Sequence, residues 1–167
     1  MTSRRTTRTT NRTTSPTPMR TALAHLHERL HALQEMLRNF GLALDDVPDA
    51  EHEPALVDAM RGAATELESD ATLALRAVSG EGGGAAEAVQ CQQAMNRMHR
   101  SMRELASHQN LLELSRLAAE RGGAWRRWAA AVHEALEACE ETIHHAAEAL
   151  LGFWSELAER MPAAAAR

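Results

Sequence analysis

Met19, Leu23, Leu26, Leu30, Leu33, Leu37 and Phe40 follow one another at intervals of 4, 3, 4, 3, 4 and 3 residues. An α-helix turns once in about 3.6 residues, so this spacing gathers the apolar side chains onto one face and turns the other to water. A helix with one apolar face is marginal alone and is stable only when another apolar face covers it. The row therefore predicts helix-on-helix packing, with a first helix over 19–40 and Gly41 just past its end, where left-handed backbone is favoured.

Three more segments repeat the pattern. Asp45, Asp46, Pro48 and Asp49 read as a loop, and Pro54 suits the first turn of a helix over 54–79. Its inward row is Val57, Met60, Ala64, Leu67, Ala71, Ala74 and Val78, rich in alanine and open to close approach by a neighbour. Gly80, Gly82, Gly83 and Gly84 form a connector. A third helix is expected over 85–121, with Cys91, Met95, Met98, Met102, Leu105 and Leu112 inward. After Gly122 and Gly123 a fourth follows over 124–161, with Trp125, Trp128, Val132, Ala135, Cys139, Ile143, Ala146, Leu150, Phe153 and Leu157 inward. Strands lack material, because aromatic residues are 3% with no Tyr. The expected fold is all-α: about four helices in an antiparallel bundle built on a long C-terminal helical hairpin.

At 167 residues the chain suits one core rather than two. Residues 2–18 hold only Thr, Arg, Ser, Asn and Pro, whose ordering would bury nothing apolar, so a disordered tail is expected over 1–18. Met19 opens the periodic pattern and is a candidate translation start. The single helical domain is expected over 19–161, and residues 162–167 as a disordered C-terminus. The net charge of -5 hides a division: five Arg and no acid up to residue 20, then 13 Arg against 23 acids. No apolar run is long enough to span a membrane, and no apolar segment follows the first arginines as in a secretory signal, so a cytoplasmic location is expected.

Folding back at Gly122 and Gly123 sets residue i opposite about 245 minus i on hairpin arms of about 55 Å. That register puts Arg97 opposite Glu148 and Arg103 near Glu141. It separates Cys91 from Cys139 by about 20 Å along the axis, beyond disulfide reach, so two free thiols are expected.

Candidate chemistry is sparse. Nine His and two Glu-x-x-His pairs, Glu28 with His31 and Glu141 with His144, invite comparison with di-iron bundles, in which such pairs point inward. With 18 Glu in the chain, about one such pair arises by chance. If Leu23, Leu30 and Leu37 are heptad a positions, Glu28 and His31 fall at f and b, the outer face; Ile143 as an a position turns Glu141 and His144 outward too. No metal or cofactor is expected, with His27, His31 and Glu35 on one face as the weak candidates for a surface metal. His108 falls between Leu105 and Leu112 on the inner stripe, as a hydrogen-bonded core histidine rather than a catalytic base.

Gly80-Glu81-Gly82-Gly83-Gly84-Ala85 matches a dinucleotide-binding pattern only formally, since a helix and not a strand precedes it. Neither a Gly-x-Ser-x-Gly elbow nor a phosphate-binding loop is present, and no enzymatic activity is expected. Nucleic acid is a possible partner through Arg4, Arg5, Arg8 and Arg12, aided by Arg97, Arg100 and Arg103, although the acidic body opposes it. Coating of an apolar surface is disfavoured by polar helix faces that are acidic or mixed.

The hairpin tip concentrates Arg121, Trp125, Arg126, Arg127 and Trp128, residue types that dominate protein-protein hot spots. Capping of the core by Trp128, and by Trp125, is the competing reading. Adjacent helical residues differ by about 100°, so Phe153 and Trp154 do not both face the core, and one is expected to meet a neighbouring helix or a partner. The expected function is non-enzymatic: an adaptor, small subunit or accessory factor that binds a protein partner or itself, with Arg121, Trp125, Arg126, Arg127, Trp128 and Trp154 as the interface.

Overall fold

The computed structural model describes residues 17–80 and 84–160, which form helices and their connections with no strand among them. Most of the Thr/Arg-rich tail, including Arg4, Arg5, Arg8 and Arg12, lies outside the described residues, as does the C-terminal run 161–167. The described residues hold five α-helices: α1 Pro18–Asp45, α2 Ala55–Val78, α3 Ala85–Leu105, α4 His108–Arg121 and α5 Gly123–Arg160, with a 3-10 turn at Ala50–His52.

Pro18 occupies the start of α1, where its missing N–H costs nothing. The helix does not stop at Gly41 but runs on to Asp45. Packing overrides the glycine here: Leu44 is fully buried, and the Trp128 indole N–H donates to the Ala43 carbonyl at 2.9 Å, holding the last turn in place. All seven residues of the α2 row are buried as their spacing requires.

The expected continuous third helix is two helices. Ser107 caps α4, its hydroxyl accepting from the Asn110 N–H at 3.4 Å. Asn110 Nδ2 donates to the carbonyls of Glu104 at 2.9 Å and Leu105 at 3.2 Å, satisfying acceptors that the end of α3 would leave unpaired. The break resets the helical phase: Leu114 and Leu117 are buried, Leu111 is half-buried, and Leu112 is 54% exposed instead of inward.

Between α4 and α5, Gly122 adopts φ 88°, a backbone conformation that glycine alone takes easily.

Contacts along the helices show their directions. From His27 through Gln34 to Asp45 on α1, the partner on α2 moves back from Ser79 through Thr72 to Arg61. Ala22 near the start of α1 shares a groove with Ala149 of α5, whereas Ala43 near its end meets Trp128 near the start of α5. α2 also packs against α3, and α5 against α4 and α3. Arg97 reaches Asp70 on α2 at 2.7 Å and not the expected Glu148, because α3 lies chiefly on α2. The buried residues form one apolar cluster, with no polar or charged residue buried among those described. None of the described helices is long and apolar enough to cross a membrane.

Candidate interaction surfaces

The tip between α4 and α5 divides into a buried and an exposed part. Trp125 and Trp128 are 6% and 5% exposed, packed edge to face with ring centroids 5.4 Å apart. The Arg121 guanidinium lies 4.5 Å from the Trp125 ring and donates to the His52 carbonyl at 3.2 Å, tying the tip to the 3-10 turn. Both indoles therefore close the end of the core, the competing reading of this motif. Arg126 and Arg127 remain exposed.

The metal-like pairs point into water: Glu28, His31, Glu141 and His144 are all exposed. His27 lies edge to face with His31, centroids 4.7 Å apart, and shares a hydrogen bond of 3.0 Å with the Ser79 hydroxyl, while Glu35 is exposed one turn further on. Among the described residues, no three His, Cys, Asp or Glu are grouped as metal ligands. His108 is exposed and not on the inner stripe, because the break before it rotates α4 relative to α3. Cys91 and Cys139 are free and buried. Burial pushes their thiols up to about 11 and about 12, so neither is a ready nucleophile near neutral pH.

Of the helix pairs in substantial contact, α3 and α5 touch least, and a groove lies along their seam. His99, Met102 and Arg103 face Glu137, Glu140, Glu141, Ile143 and His144 across a groove of about 460 Å³. Three carboxylates thus meet one guanidinium. His144 is turned along its own helix toward Glu148 at 3.4 Å, and His133 likewise toward Glu137 at 3.3 Å. The His99 imidazole is held below its usual range by partial desolvation, then by the positive charges of Arg103 and His144.

Beyond His144 the same edge of α5 becomes apolar. Glu140, His144, Ala147, Leu151, Trp154 and Ala158 recur at 4 and 3 residues, a second row beside the buried one. Leu151 is 64% exposed, Trp154 and Ala147 are half-buried, and Phe153 is fully buried. Of the expected interface residues, Trp154 is the indole left at the surface. Its neighbour Leu151 went unnoticed in the sequence, although this second row was there to be read.

Among the described residues these features define an all-α fold of five helices with an apolar interior, two buried thiols, and the histidines and charged side chains at or near the surface. No family model matches the chain, and no curated protein or solved structure is similar to it.

Proposed function

We propose that the chain is a non-enzymatic helical-bundle protein that works in the cytoplasm by binding another protein or itself, as an adaptor, small subunit or accessory factor. In this reading the helices form an antiparallel bundle, with α3 and α4 as one kinked arm of a C-terminal hairpin and α5 as the other. The opposed directions of α1 with α2 and with α5, and the shared groove of Arg103 and Glu141, support it.

The observation that carries the functional reading is Leu151, 64% exposed beside the half-buried Trp154 on a continuous apolar row. Scattered surface leucines are ordinary, but a large apolar side chain beside an indole at helical spacing is the composition of an anchor for a partner. Arg121, Arg126 and Arg127 offer a second, basic contact at the tip. Among the described residues, an interior with no buried polar or charged residue and two thiols held protonated suit packing rather than catalysis.

A photo-crosslinking side chain placed in turn at Leu151, Arg127 and Glu66, in the native cell, tests this. Discrete crosslinked products from Leu151 or Arg127 and none from the exposed α2 control are expected. The same background at all three positions would refute the reading.

A further inference from the structure

We propose that the seam between α3 and α5 docks one amphipathic helix of a partner protein, its basic end over Glu137, Glu140 and Glu141 and its apolar end over Leu151 and Trp154. This deepens the interaction reading above and rests on it.

The edge from Glu137 to Ala158 spans about 32 Å at 1.5 Å per residue, the length of a helix of about 21 residues. Its character divides near the middle. Glu137, Glu140 and Glu141 face only Arg103 as a permanent positive charge within the groove. Past His144 the row becomes Ala147, Leu151, Trp154 and Ala158, with Leu151 the most exposed large apolar side chain described. Apolar anchors at 4 and 3 residue intervals match the face of another helix, which can nest between two neighbours where their own packing is sparse. Packing is sparse here because α3 lies chiefly on α2. The excess of carboxylates over that one guanidinium specifies the sign of the incoming charge.

The chain's own N-terminal segment supplies arginines but has no large apolar side chain between residues 2 and 18. Its composition suits the acidic half alone and offers no apolar match for Leu151 and Trp154.

The test uses two labelled helical peptides of about 21 residues with the same leucine row, one carrying arginines over its first turns and the other glutamates. Their binding to the full chain is followed by fluorescence anisotropy at low and moderate salt. The arginine peptide is expected to bind about tenfold more tightly, a preference that Glu140→Gln with Glu141→Gln narrows and that salt weakens. Leu151→Glu should weaken it by about tenfold or more, while Leu42→Glu, at another exposed leucine, leaves it unchanged. Circular dichroism confirms that each variant is folded.

Equal binding of the two peptides overturns the proposal, as does equal loss in both leucine variants. Sedimentation as a dimer that Leu151→Glu splits also overturns it, by assigning the edge to a second copy. Crosslinking at Leu151 without peptide preference defeats only the basic-helix chemistry. Absence of specific crosslinks at both positions defeats the interaction reading itself.

Discussion

The two halves of α5 carry similar rows and meet different fates. In the first half Trp125, Trp128, Ala129, Val132 and Leu136 are buried. In the second, Ala147, Leu151 and Trp154 continue the edge that Ala129 and Leu136 begin, yet Leu151 is 64% exposed. The difference lies in the neighbour: α4 brings Leu114 and Leu117 onto the first half, whereas α3 turns toward α2 and leaves the seam open. An apolar row on a helix thus states a need for cover, and the neighbouring helix determines how much of that need is met.

Breaking the closed half has the largest expected effect. Trp128→Ala removes a buried indole and its bond to the Ala43 carbonyl, and should cost about 3–5 kcal/mol in urea denaturation. Gly122→Ala forces a side chain into a backbone conformation that resists it and should cost about 1–3 kcal/mol by the same measurement, loosening the turn that sets α4 on α5. Ser107→Ala removes the cap that starts α4 and should cost about 1 kcal/mol, with Ser107→Asp retaining most of the stability.

The open half should respond in the opposite way: Leu151→Glu is expected to change stability by no more than about 0.5 kcal/mol, since its side chain already meets water. A loss of several kcal/mol would mean that this edge is as closed as the first half.

The smallest effect concerns pH. The folded state holds the His99 imidazole below its usual range, so the unfolded chain takes up its proton more readily. That contribution is fully present above the ordinary histidine value of 6.5 and is lost as the pH falls below it and through the lower folded value. His99→Gln should therefore make a slightly smaller drop in urea midpoint between about pH 7.5 and about pH 5.5.

Much of this arrangement is legible residue by residue. The α2 row is buried at every expected position, and the outward placement of Glu28, His31, Glu141 and His144 follows from heptad positions alone. The error in the third helix has a local cause. Leu111 and Leu112 are adjacent, so an apolar residue stands at the expected place whether or not the phase shifts after Leu105. Ser107 followed by Asn110 was the available sign of a new helix start, and periodicity outweighed it. The burial of the two tip indoles was undecided in the sequence for a different reason: residue types suited to hot spots are also suited to closing a core, and only the position of the α1 end covers Trp125 and Trp128.

The sequence by itself determined that the described chain would be helical and which side of most helices would turn inward. These follow from a repeat of about 3.6 residues that each segment carries within itself. Only the tertiary structure decided that α1 would continue past Gly41, that Trp125 and Trp128 would be covered and that Leu151 would not. Those outcomes depend on which helix lies against which, a balance of many weak contacts between residues far apart in the chain.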